Sequence, residues 1–160
     1  MIALVRVDNR LIHGQVVSTW IPHLKVDRVV VVDDEAASSP LMQAAMSMAV
    51  PPHLDVAIIP RSEADLRSIA QSRERVLVLV RDVANAEAVL QQAPVPLLNL
   101  GNVHFGEGRT AVSPSVFLSA AEVETLGRIA ARGTEIEARA VPSDHKVGLE
   151  ELRARHRAAS

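Results

Sequence analysis

The chain has 160 residues, 48% apolar and 22% charged, with a net charge of −2, which suits one domain with a full core and gives no sign of a polyanion-binding surface. Two Phe, one Trp and no Tyr leave no platforms for stacked bases, so no nucleic-acid partner is expected, and the lack of Cys removes disulfides, thiol catalysis and Cys-based metal sites. No apolar run nears a membrane span, and Arg6, Asp8 and Arg10 come too early for a signal peptide, so the expectation is a soluble cytoplasmic protein.

Strand-like and helix-like runs alternate from the start. Ile2–Val7 is an apolar run interrupted only by Arg6. Val16, Val17, Trp20, Ile21 and Leu24 share one helical face, and Pro22 ends or kinks that helix. Trp20 on that face reads as core rather than partner surface. Val29–Val32, Val56–Ile59, Val76–Val80 and Pro96–Leu100 are further strand runs, and Glu135–Val141 alternates. Leu41–Val50 is a helix opened by Ser39-Pro40 and stopped by Pro51-Pro52. Ser62-Glu63-Ala64-Asp65 reads as a capping box opening a helix through Ser72, and Ser119-Ala120-Ala121-Glu122 as another, for a helix over Ser119–Arg132. Asp82–Ala93 and Leu149–Arg157 are the remaining helices, the last fraying at its end. Gly101–Leu118 breaks the alternation and reads as a long loop with a hairpin. The whole predicts one α/β domain over 1–160, an open, mostly parallel twisted sheet of about six or seven strands with helices on both faces.

Ligands of such sheets bind beyond the carboxyl ends of the strands. Asp8–Gly14 is the richest such segment. A helix starting at Gly14 or Gln15 puts His13 at its N-terminus, where unpaired N–H groups and the macrodipole favour an anion. Arg10 can give a phosphate two parallel hydrogen bonds, and Gly14 lets the backbone approach without a Cβ in the way. A histidine nitrogen can accept a phosphoryl group and release it. The plain alternative is a loop histidine beside an exposed arginine. Asp33-Asp34-Glu35 could hold a divalent cation, but Asp34 or Ser38 capping the next turn is the preferred reading. His104 reads as an ordinary loop residue, and His23, His53, His145 and His156 have no supporting constellation. Zinc-ligand spacings are absent.

The stretch Arg6-Val7-Asp8-Asn9-Arg10-Leu11-Ile12-His13-Gly14-Gln15-Val16 resembles the active-site loop of IIB components in the mannose/fructose/sorbose family of the bacterial phosphoenolpyruvate-dependent sugar phosphotransferase system (PTS). Val31–Glu35, Met48–Pro52, Asn99–Phe105 and Val141–Asp144 are similar to later stretches of that family, so the resemblance runs over nearly the whole chain. Ser38-Ser39 stands where an acidic residue is common, and Asn102 where a glycine is. The resemblance implies a phosphohistidine–sugar phosphotransferase: His13 takes a phosphoryl group, on Nδ1, from a IIA domain and passes it to sugar held by the membrane partners IIC and IID. It makes Arg10 the phosphate-contacting residue. Asp8, Asn9, Leu11, Ile12, Gly14, Gln15 and Asp33 would line or orient the pocket. It also implies a cytoplasmic protein transiently at the inner membrane face. Arg10 and main-chain N–H groups supply the positive field, so no metal or cofactor is called for. A relay used for regulation rather than transport, or a non-catalytic anion-binding module, would use the same loop. A shallow, exposed loop and weak, exchangeable interfaces are expected.

Overall fold

The computed structural model describes residues 1–160. Five strands run in parallel through its centre: β1 (Ile2–Asp8), β2 (Arg28–Val32), β3 (Asp55–Ile59), β4 (Val76–Val80) and β5 (Leu97–Asn102). They are joined by parallel β8 (Glu135–Ala138) and a short antiparallel edge strand, β9 (Val147–Gly148), in the order β3-β2-β4-β1-β5-β8-β9. The hairpin in the long loop is β6 (Thr110–Ser113) with β7 (Val116–Leu118). Seven strands match the expected sheet; β9, two residues long, leaves no periodic signal.

The central strands are buried on both sides, which their near-unbroken aliphatic composition requires. Alternation then splits their side chains between two cores. Val5, Val7, Val78, Val80, Leu98 and Leu100 pack on α4 (Leu66–Gln71), α5 (Val83–Leu90), α6 (Ala120–Ala131) and α7 (Leu149–Ala159). Leu4, Val29, Val31, Leu77 and Leu79 pack on the opposite side, against α1 (Ile21–Leu24), α2 (Asp34–Ala37) and α3 (Pro40–Ala49). The link leaving β1 therefore covers one face, and the link leaving β4 covers the other. Beyond the carboxyl ends of these neighbouring strands lies the crevice of a doubly wound sheet.

Local chemistry explains the helix boundaries. Ser39 caps α3 through Met42 N–H at 3.2 Å, with Pro40 at the first position. Ser119 and Glu122 close the expected capping box on α6. The other box is corrected: Arg61–Glu63 is a 3₁₀ turn, and Asp65, capping Ser68 N–H, opens α4. Asp82 caps α5, which stops at Leu90, and α7 runs to Ala159. Pro22 neither ends its helix nor bends it in the ordinary way. Residues 14–24 stay helical, but Val16–Trp20 widens into a π-helix with Ile21 N–H bonded to Val16 O. Pro22 has no N–H and its ring crowds the carbonyl four residues back, which a π-turn accommodates.

Candidate active site

β1 ends in a carboxylate on which the whole loop is hung. Asp8 is fully buried and lies on the same face of the sheet as Leu4 and Arg6. Its Oδ1 accepts from Arg10 N–H at 3.0 Å and Arg10 Nε at 3.1 Å. Its Oδ2 accepts from Arg6 Nη2 at 3.0 Å and Arg10 Nη2 at 3.2 Å, and lies 3.1 Å from His13 Nε2. Burial pushes this carboxyl up, but the hydrogen bonds from His13 and Arg10 and the Arg6 charge outweigh it and hold it down at about 2. Asp8 is thus an anion near neutrality, and the hydrogen bond to it requires the proton of neutral His13 to sit on Nε2. Nδ1 keeps its lone pair.

The turn is tight. Leu11 N–H closes on Asp8 O at 2.9 Å, and Leu11 has φ +58°, rare for a branched side chain. Leu11 and Ile12 are 1% and 5% exposed and belong to the α1-side core. This corrects the expected exposed loop: these two side chains anchor the turn, and only its rim is open. The His13 side chain is 18% exposed and that of Arg10 41%. His13 O accepts Val17 N–H at 3.0 Å, so helix begins directly after the histidine. The N–H groups of His13, Gly14 and Gln15 have no partner within the protein. A Cβ built on Gly14 would meet nothing within 4 Å, so no other part of the protein crowds that position. Gln15 Oε1 accepts from Arg10 Nη2 at 3.2 Å.

Asn9 pins the loop to β5: its N–H donates to Asn102 O at 3.1 Å, and its side-chain oxygen accepts from Asn102 Nδ2. Asp33 meets the loop only through Arg81. It caps α2 through Ala36 N–H at 3.0 Å and is held by Arg81, whose Nη1 reaches Asn9 O at 3.5 Å. The cap is therefore Asp33, and Asp34 instead accepts Arg61 N–H at 2.8 Å. Arg81, Asn9, Arg10, Leu11, Ile12, Met42, Ala45 and Met46 line a groove of about 210 Å³ beside the loop. His104 is exposed, its carbonyl bonded to Arg109 at 3.2 Å. Trp20 is fully buried, as its helical face requires, and donates its indole N–H to Ala140 O at 2.9 Å.

Sequence reasoning did not find the charges behind the site. Arg6, Asn99 and Glu137 are buried on neighbouring strands, all facing the Trp20 side. Arg6 Nη1 donates to Asn99 Oδ1 at 2.6 Å, and Asn99 Nδ2 to Glu137 Oε1 at 3.0 Å. Arg139 pairs with Glu137 at 3.1 Å, and Arg6 and Arg139 each lie 5.0 Å from the Trp20 ring centroid. The available signal was the parity of Arg6, a charge breaking an apolar strand. Chemically, the site offers a histidine ring whose Nδ1 has no partner within the protein, a partly exposed guanidinium and a set of free amides, which suits an anion.

The model of the PTS system sorbose subfamily IIB component matches residues 2–160. The sorbose-specific EIIB component of Lacticaseibacillus casei is 30% identical over 147 residues, covering 90% of each chain. The mannose-specific EIIAB component of Escherichia coli K12 is 28% identical over 155 residues, which are 95% of this chain and 48% of that protein. The chain thus spans about half the length of the EIIAB relatives it matches. The crystal structure of manxB from Thermoanaerobacter tengcongensis superposes with a TM-score of 0.87 at 30% identity, over 96% of this chain and 95% of that one. The IIBSor domain of the Klebsiella pneumoniae sorbose permease has the same fold, with a TM-score of 0.87 at 22% identity over 96% and 97% of the two chains. With a family match that leaves out only Met1, the chain belongs to the sorbose subfamily of PTS IIB components.

Proposed function

We propose that this chain is a phosphoryl carrier of sugar uptake, accepting phosphate on Nδ1 of His13 from a IIA domain and donating it to sugar held by IIC and IID membrane partners. The observation that carries the reading is the 3.1 Å contact of His13 Nε2 with the buried Asp8 carboxylate. It commits the Nε2 nitrogen and leaves Nδ1 as the nucleophile. Nδ1 attacks phosphorus in line, the donor's P–N bond breaks, and its electron pair returns to the donor imidazole. The transition state is loose, with charge spread over the equatorial oxygens. Arg10 and the free amides of His13, Gly14 and Gln15 supply the donors that meet that charge. Arg10, parked on Asp8 and Gln15, has the exposure to swing onto the phosphoryl oxygens. Discharge reverses the roles: the sugar oxygen bonds to phosphorus as the P–N bond breaks, the P–N electron pair returns to Nδ1, and the hydroxyl proton is released to solvent. No helix of the chain is long and apolar enough to cross a membrane, so sugar passage is assigned to the partners.

Incubation with a phosphorylated IIA partner, followed by phosphopeptide mapping, tests the reading. An acid-labile, base-stable phosphate on the peptide containing His13, absent from His13→Ala, is expected. Full labelling of His13→Ala would overturn it. Stable binding of a phosphometabolite without covalent labelling would favour an anion-binding module. Labelling that sugar plus membranes cannot discharge would favour a regulatory relay.

A further inference from the structure

We propose that Arg6, seated by Asn99, Glu137 and Gly101, is the positioning residue that holds Asp8, and through it the reactive tautomer of His13, while Arg10 is away on the phosphoryl group. This rests on the carrier function above and adds residues that touch no reacting atom.

Asp8 Oδ2 serves three donors, Arg6, Arg10 and His13. Arg10 cannot serve Asp8 and a phosphoryl group with the same N–H groups. When it turns outward, the side-chain donors left to Asp8 are Arg6 and His13. Arg6 is 0% exposed and cannot follow. Its Nη1 donates to Asn99 Oδ1 and to Arg139 O at 3.1 Å, and its Nη2 to Asp8 and to Ala140 O at 3.0 Å. Both terminal nitrogens are thus saturated, and the fork can turn only by breaking several buried bonds at once.

The seat is built from alternate positions of β5 and β8. Glu137 Oε1 takes the Asn99 amide, which turns the Asn99 oxygen toward Arg6. Two residues on, Gly101 leaves out a side chain: a Cβ there would lie 2.0 Å from Arg6 Cζ, so the guanidinium occupies that volume. Trp20 packs on the same guanidinium, 5.0 Å from Cζ to ring centroid. The buried Arg6 and Asp8 are of opposite charge, and buried Glu137 is met by the partly exposed Arg139, which lets these groups stay ionised out of water. A lysine at position 6 would keep the charge but lose the fork.

The test uses the full chain with phosphorylated IIA protein. Nitrogen-15 NMR of the His13 ring at neutral pH reads the tautomer, and the initial rate of His13 phosphorylation reads the consequence. Wild type is expected to show the proton on Nε2. Gly101→Ala and Asn99→Ala are expected to give mixed tautomers and rates lower by about 10- to 100-fold, the usual cost of losing an orienting partner. Arg6→Lys should recover part of the rate that Arg6→Gln loses. Folded Gly101→Ala and Asn99→Ala proteins with wild-type tautomer and rate would overturn the proposal, and so would Nδ1 protonation in the wild type, which needs no variant to fold. Wild-type protein unlabelled on His13 would instead defeat the carrier reading, whatever its tautomer.

Discussion

Arg81 grips both carboxylate oxygens of Asp33, Nε on Oδ1 at 3.0 Å and Nη2 on Oδ2 at 2.8 Å. The pair ties the end of β4 to the start of α2, and Arg81 also reaches the Asn9 carbonyl. Asp33 is 4% exposed, so Arg81→Ala would strand a buried anion. A loss of about 2 kcal/mol is expected by urea unfolding, with part recovered in the double variant carrying Asp33→Asn. No loss in Arg81→Ala would show the pair to be structurally idle.

Acid should weaken the fold through Asp8. Its folded pKa, about 2, lies below the ordinary value of 3.8, so its contribution is complete above about pH 5 and is lost as pH falls toward 2. The shift corresponds to about 2 kcal/mol. Denaturant titrations from pH 7 down to pH 2 should show a steeper decline for wild type than for Asp8→Asn. Parallel curves would contradict this.

Arg10→Ala separates chemistry from stability. Its side chain is 41% exposed, so the loss of its Asp8 contacts should cost less than about 1 kcal/mol. Phosphoryl transfer to His13 should fall about 100-fold, as when one charge-stabilising donor is removed. Rapid-quench kinetics beside thermal unfolding would read both. Unchanged transfer would remove Arg10 from the mechanism.

At Leu11 two effects oppose. Glycine would relieve the φ of +58°, gaining about 1 kcal/mol, but would delete a side chain that is 1% exposed, costing about 3 kcal/mol. Burial wins, and Leu11→Gly should be destabilised by about 2 kcal/mol in chemical denaturation. A stabilised variant would mean that strain, not the core, governs the turn.

Ser119→Ala removes one half of a closed capping box and should lower stability by about 1 kcal/mol, read as a drop in Tm, with no change in transfer rate.

Sequence alone determined the strands β1 to β5, the serine caps of α3 and α6, and a histidine opening a helix three residues after an arginine. Each of these depends on neighbours within one turn or on a two-residue period, which a chain displays in its order. It could not tell that Leu11 and Ile12 turn inward, because apolar loop residues read alike whether they face ligand or core. Nor could it reveal the seat of Arg6. Its partner Asn99 lies 93 residues away, and the carbonyl of Ala140 lies 134 away. Only the sheet order, with β1 between β4 and β5 and β8 next to β5, puts same-parity residues of separate strands side by side. Tertiary structure thus built the seat of Arg6 from distant strands, and Arg6 in turn holds the buried Asp8 anion that faces His13 Nε2.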